Sequence, residues 1–209
     1  ENRGSYTAST KGHMSNLGVF GNIGYKLNES SFFSIYGRSD DHNTTGGNQT
    51  YKINLTKFID KFELGLTHST GLRNPTLYEL YGSDNYGIGG NVNLKPEKSE
   101  TNELFGEYNF SENIKFSSTA YRTRMKDRIK LKSDWSGYEN KVPDTTQEGL
   151  ESEITWSGNN QSISLVSHFA KSRTVTAGPN SRRPDVSYGI DYFKKFNVPE
   201  YGPFDLNLS

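Results

Sequence analysis

The chain is 209 residues long, has no cysteine, and balances 24 Lys+Arg against 24 Asp+Glu. That excludes a disulfide scaffold, thiol catalysis and cysteine-type zinc sites, and it removes the electrostatic case for a nucleic-acid partner. Apolar residues make up only 31%, yet aromatics reach 13% beside 21 Gly, a composition that favours β structure over helix or disorder.

Along the chain, alternation with a period of two is the dominant pattern. Leu17, Val19, Ile23, Tyr25 and Leu27 share one face of a first long strand, with Gly18, Phe20, Asn22 and Lys26 on the other. Tyr51, Ile53 and Leu55, then Phe62, Leu64 and Leu66, repeat the pattern. It continues through Leu104, Tyr108 and Phe110, through Ile114, Phe116 and Ala120, and through Leu150, Ile154 and Trp156. Ile163, Leu165 and Phe169, then Tyr188, Ile190 and Tyr192, then Phe204, Leu206 and Leu208 complete it. Helical periodicity is nearly absent, so the fold class is all-β.

The connections carry further information. Short ones at Asn28–Ser30, Asp60–Lys61, Ser111–Asn113, Gly158–Asn160 and Asn197–Pro203 alternate with long ones at Lys11–Ser15, Asp41–Asn48, Gly71–Lys98, Ser133–Gln147 and Thr174–Pro184. In an up-and-down antiparallel sheet every second connection lies at the same end, so the pattern predicts tight turns at one end and long loops at the other. Soluble sandwiches mix loop lengths at both ends, whereas a transmembrane β-barrel has this asymmetry. No run of about 18 apolar residues offers a transmembrane helix, and Tyr25, Tyr108, Phe110, Tyr188 and Tyr192 sit where an interfacial aromatic girdle would lie.

The connection from Gly71 to Glu103 contains two motifs. They are Gly71-Leu-Arg-Asn-Pro-Thr-Leu-Tyr-Glu-Leu-Tyr-Gly82 and Gly90-Asn-Val-Asn-Leu-Lys-Pro-Glu-Lys-Ser-Glu-Thr-Asn-Glu103. With Glu148-Gly149-Leu150-Glu151 and Arg182-Arg183-Pro184 downstream, the chain resembles the TonB-dependent outer-membrane receptor family over at least residues 62–193. Leu72, Asn74 and Val92 stand where the family pattern has Phe, Ala and Pro. The resemblance implies a barrel of about 22 strands around a plugged lumen. At about 20 residues per strand and connection, this chain supplies about ten or eleven of them. The expectation is part of a single barrel domain, without plug domain or C-terminal closing strand, exposing edges near residues 3–9 and 203–209. Such a piece is not expected to transport alone.

The resemblance further implies an outer-membrane location and a scarce small-molecule nutrient, foremost a ferric siderophore, then cobalamin, haem or a glycan. TonB would drive transport through segments outside this chain, and outer-membrane lipid would surround the barrel. No cofactor, metal site, nucleic acid or enzymatic activity is expected.

Within the motifs, Arg73, Pro75, Glu79, Lys95, Pro96 and Glu97 read as structural. Pro75 starts a helical turn and holds Asn74 extended, Leu77 and Leu80 pack that turn back on the barrel mouth, and Arg73 and Glu79 pair with lumen-facing charges. Tyr78, Tyr81 and Tyr86, with Trp135 and Tyr138 and the pair Arg182 and Arg183, read as ligand-facing. Aromatic faces suit a large planar or macrocyclic ligand, and arginines suit an anionic one; equally, the tyrosines can pack on one another. Asp40, Asp41 and His42 read as a solvated loop rather than a cation site. Arg122, Arg124, Lys126 and Arg128 recur at alternate positions on the face of Phe116 and Ala120. That marks a strand emerging into solvent or outer-leaflet phosphates, unless a bulge turns them into the lumen. Two other classes remain: a soluble glycan-binding β-sandwich, and an outer-membrane hydrolase for which His168 with Ser118 is the best available pair.

Overall fold

The computed structural model describes residues 9–10, 12–141, 144–174, 178–179, 185–200 and 202–208. Ten long strands follow one another: β1 (Asn16–Asn28), β2 (Ser31–His42), β3 (Gly46–Ile59), β4 (Phe62–Arg73), β5 (Glu97–Asn109), β6 (Ile114–Lys126), β7 (Thr145–Gly158), β8 (Gln161–Thr174), β9 (Val186–Val198) and β10 (Gly202–Leu208). They pair antiparallel in sequence order, forming one continuous meander with β1 and β10 as its edges. This is the expected partial barrel, a single sheet rather than the two stacked layers of a sandwich. Among the described residues the first edge is β1, and Ser9–Thr10 pairs instead with Gly82–Ser83 in a loop; the rest of the edge expected near residues 3–9 lies outside the described residues. Nine of the strands run 12 to 14 residues, well beyond the usual ~5–6 and enough to cross a bilayer at a tilt.

The register confirms that alternate positions share a face. Leu55, Leu66, Leu104, Ala120, Leu150 and Phe169 form one row across six strands, and Ile23, Ile35 and Ile53 another. The opposite face carries Asn54, Thr67, Glu103, Glu151 and Asp191. At the end with short turns, Phe62 stacks on Tyr108 with ring centroids 4.3 Å apart, and Tyr108 meets Phe110 edge-on at 4.7 Å. Tyr25, Trp156 and Tyr192 lie at that same end, while Tyr188 lies at the other.

The apolar face is not covered. Leu17, Val19, Ile23, Tyr188 and Ile190 are each 64–74% exposed. The chain exposes 14762 Å² where a folded soluble protein of its 23.5 kDa would expose roughly 9,800 Å². Among the described residues the buried apolar side chains are few, chiefly Leu80, Leu94 and Pro75, all in one loop. In water such a sheet lacks a core, so its apolar band requires a non-aqueous surrounding.

Short turns gather at one end: Glu29–Ser30, Asp60–Lys61, residues 110–113 and Asn159–Asn160. Asp60 and Asn160 take φ of 52° and 59°, a left-handed conformation that short polar side chains tolerate. At the other end lie residues 74–96 and 127–144. The expected long loop at Asp41–Asn48 is instead a tight connection, Asn43–Thr45. His42 is buried and its Nδ1 accepts from the Thr44 and Thr45 N–H groups, while Asp40 accepts from Arg38 and Asn16, so this stretch extends β2 rather than lying in solvent.

Candidate functional site

The two long described loops form one rim above the ends of β4, β5 and β6. β4 ends in Arg73, whose guanidinium bonds two carboxylates at once: Glu97 through Nε at 2.9 Å and Nη2 at 2.8 Å, and Glu79 through Nη1 at 3.0 Å and Nη2 at 3.1 Å. Pro75 is buried and leads into the short helix α1 (Leu77–Tyr81), started by a capping box. Thr76 Oγ1 accepts from the Glu79 N–H, and Glu79 accepts from the Thr76 N–H. Burial pulls the Glu79 carboxyl pKa upward, but the bonds from Arg73 and Thr76 outweigh it and hold the group below its ordinary range. The structural reading of Arg73, Pro75 and Glu79 therefore has a concrete geometry.

After α1 the chain folds back on itself. The Gly90 N–H donates to the Gly82 carbonyl at 2.7 Å and the Asn91 N–H to Glu79 at 2.8 Å. A Cβ at Gly90 would lie 2.5 Å from the Leu80 carbonyl, so only glycine permits this approach. Asp84 Oδ1 accepts from the Tyr86 and Ile88 N–H groups, which fixes the tip. The return limb is sewn to a hairpin formed by Arg128–Leu131 and Tyr138–Lys141. The Gly89 N–H donates to Ser136, Asn91 Nδ2 to Tyr138, and the Lys95 N–H to Asn140 Oδ1, whose Nδ2 donates back to the Lys95 carbonyl. Glu97 also accepts from the Ile129 N–H at 2.7 Å. Residues 74–96 are thus a packed element with its own small core of Leu80 and Leu94.

The expected ligand-facing residues divide on this rim. Tyr78 and Tyr138 meet edge to face at 6.1 Å. Burial, with the Glu79 and Asp84 carboxylates nearby, pushes the Tyr138 hydroxyl pKa up. Tyr81 lies against Gly12, where a Cβ would sit 2.9 Å from its ring. Tyr86 and Trp135 remain outward, 70% and 66% exposed, and the bridge between Gly89 and Gly137 brings their two loops together. Arg182 and Arg183 lie outside the described residues. Lys95 and Pro96 carry the chain into β5. Sequence reasoning missed Asn91, Asn140 and Gly137, which join the loops, because side-chain bonds across such separations leave no local pattern.

Arg122, Arg124 and Lys126 do share the face of Phe116 and Ala120. Arg128 does not, because Asp127 takes φ 53°, β6 ends there, and Arg128 starts the hairpin. His168 and Ser118 cannot act together: Ser118 bonds Ser152 on the apolar face, while His168 bonds Tyr121 on the polar one. Among the described residues no group of three His, Asp or Glu converges.

A single curved run of long antiparallel strands, apolar on one face and rimmed at one end by packed loops, is the wall of a transmembrane-type β-barrel. The chain belongs to the TonB-dependent receptor-like β-barrel family, whose model matches residues 1–207. It is 31% identical over 115 residues to a vitamin B12 transporter of Vibrio cholerae, a match covering 54% of this chain and 18% of that protein. Among solved structures it resembles the siderophore receptor PirA from Pseudomonas aeruginosa, with TM-score 0.72, 18% identity, and 93% of this chain against 36% of that one. It also resembles a mutant ferric enterobactin receptor of the same organism in complex with enterobactin, with TM-score 0.71, 19% identity, and 93% against 32%. The chain spans about a third of the length of these solved receptors.

Proposed function

We propose that the chain is wall and outer rim of an outer-membrane receptor that takes up a large chelated nutrient, a ferric siderophore in the first place and cobalamin in the second. The observation that carries this reading is the rim. Two outward aromatic side chains, Tyr86 and Trp135, stand on loops locked to the strand ends by the Arg73–Glu79–Glu97 network. Rigid aromatic faces on a braced loop suit a broad, flat ligand at little cost in lost motion. The family membership and the siderophore-receptor fold support the class of ligand, and the vitamin B12 transporter relative supports the runner-up. On this reading β1–β10 cross the bilayer with the long loops outside the cell, and the exposed apolar band supports it. The polar face lines the lumen, and energy from TonB enters through parts of a receptor beyond this chain.

The chain has two tryptophans, and Trp156 lies at the turn end, so in a Trp156→Phe background Trp135 alone reports on the rim. Titrating the membrane-extracted protein with ferric siderophores and with cobalamin should quench that emission saturably for one class. Saturable quenching by cobalamin alone would transfer the assignment to the runner-up, and quenching by neither would remove the rim from ligand binding.

A further inference from the structure

The lipid-facing side of β3–β7 carries two adjoining depressions of opposite character. The lower one, about 670 Å³, has Leu55, Leu66, Leu104 and Ala120 along it and His68, Asn102, Arg122 and Glu148 at its upper margin. Its depth comes from Ala120, which stands in the register row between Leu104 and Leu150 and leaves a notch in an otherwise bulky band. The upper one, about 220 Å³, is lined by Lys98, Arg124 and Lys126 together with Tyr51, Thr70 and Glu100. The two touch along the Tyr51–His68 and Arg122–Arg124 positions. Tyr51 Oη lies 3.1 Å from His68 Nε2, and His68 Nδ1 lies 2.8 Å from Asn102 Oδ1, so this boundary is an ordered polar line.

The upper depression has an excess of positive charge. Its charged lining residues are Lys98, Arg124 and Lys126 against Glu100. Three basic groups against one acidic group leave two positive charges there, in a chain whose total is zero. Glu148 pairs with Arg122 at 3.2 Å and Asp144 with Arg124 at 2.7 Å. Lys98 and Lys126 are direct cross-strand partners, and neither has an ion pair among the described residues. Like charges placed opposite each other destabilise a strand pair unless an anion lies between them.

An apolar furrow running up to a cationic hollow matches an amphiphile: acyl chain below, phosphate above. We propose that this surface binds an outer-leaflet glycolipid bearing phosphate on its head group. The phosphate is held by Lys98, Arg124 and Lys126, and an acyl chain lies over Leu66, Leu104 and Ala120. The proposal rests on the membrane reading above. Arginine provides charge-assisted bonds to phosphate oxygens, and a lysine can lay its apolar stem on such a band while its charge reaches the phosphate.

The test isolates the protein from outer membranes in mild detergent and measures phosphorylated glycolipid retained per protein by mass spectrometry. It then offers purified lipid A or its dephosphorylated form to delipidated protein. Wild type should retain lipid A and prefer it to the dephosphorylated form. The triple variant Lys98→Gln, Arg124→Gln, Lys126→Gln should bind of the order of a hundredfold more weakly, from about fivefold per charge, with much less sensitivity to salt. Ala120→Phe should weaken binding while leaving salt sensitivity intact, and Lys52→Gln on the lumenal face should change nothing. Equal binding of both lipid forms, or a triple variant that binds as wild type does, overturns the proposal while leaving the receptor reading standing. Failure to recover the wild-type protein in the outer-membrane fraction overturns both.

Discussion

Arg73 and Glu97, the last residue of β4 and the first of β5, are direct partners in the strand register and also close an ion pair at 2.8 Å. The loop between them, residues 74–96, therefore leaves and re-enters the sheet at one point, and Glu79 from within the loop bonds the same guanidinium at 3.0 Å. A connection built this way is a clamped ring rather than a free excursion. Replacing Arg73 with Met should strand two carboxylates and release the ring. Because the guanidinium is 43% exposed, the cost should stay near 1 kcal/mol after solvent screening. Limited proteolysis should find new cleavage confined to residues 74–96, with the barrel strands still resistant. Cleavage spread equally over the strands would show that the pair holds the sheet rather than the loop.

The joint between the loops offers a sharper backbone test. Gly137 has φ 153°, and a Cβ there would lie 2.5 Å from the Gly89 carbonyl oxygen. Gly137→Ala should therefore separate the hairpin from the return limb and break the Gly89–Ser136 bond. Trp135 emission should shift on this change, whereas Gly37→Ala, with open space around its added Cβ, should leave it unchanged. An unmoved Trp135 spectrum in Gly137→Ala would mean that the loops are not held by this contact.

Those two sites also show how far the sequence could be read. The faces of most strands were legible because sets such as Tyr51, Ile53 and Leu55 alternate, and register follows once alternate positions share a face; β2 was not, since Phe32 beside Phe33 and Ile35 beside Tyr36 put large side chains on both faces. Arg73, Glu79 and Glu97 were legible as a structural set through their motifs, though not as a single three-way pair. Asp41–Asn48 reads as a long loop, because a run of Asp, His, Asn, Thr and Gly has turn composition. Arg38, Asn16 and the buried His42 instead satisfy those polar groups within an extended β2. The run from Arg122 to Arg128 was interrupted at Asp127, since alternation cannot reveal where one residue adopts a left-handed conformation. The joining of Asn91 and Asn140 to distant backbone groups was not legible at all. Each uses a side chain whose type says only that it can bond, not with what.

Acid should open the rim in a defined direction. Glu79 has its carboxyl pKa lowered from an ordinary 4.5 by Arg73 and the Thr76 N–H, against the opposing effect of burial. A group whose folded value is lowered contributes stability above its unfolded value and loses it as pH falls through the folded one. Protease access to residues 74–96 should thus be flat from about pH 7 to about pH 5 and rise below about pH 4. Glu79→Gln should flatten much of that rise, while being more accessible than wild type at neutral pH. A wild-type rise already complete near pH 6 would implicate a histidine instead.

Among the described residues the small apolar core lies in the rim, not in the sheet. Leu80 is 1% and Leu94 5% exposed, while the large apolar side chains of the strands face outward. The rim and the sheet thus rest on different forces. Strand pairing is maintained by continuous registers across the sheet, and the loop by burial of a few side chains beside Pro75 and the Tyr78–Tyr138 contact. Leu80→Ala should accordingly cost about 2–5 kcal/mol of local stability, as truncating a buried leucine does. That loss should fall on the rim as a unit. Hydrogen exchange should accelerate for the amides of Leu80, Gly90 and Asn91, which bond within the loop, and for Gly89 at the joint with Ser136. Amides of β4 and β5 should keep wild-type protection, because their partners lie across the sheet. If β4 and β5 lose protection together with the loop, the rim and the wall are one cooperative body. Leu80 would then be part of what holds the wall in register.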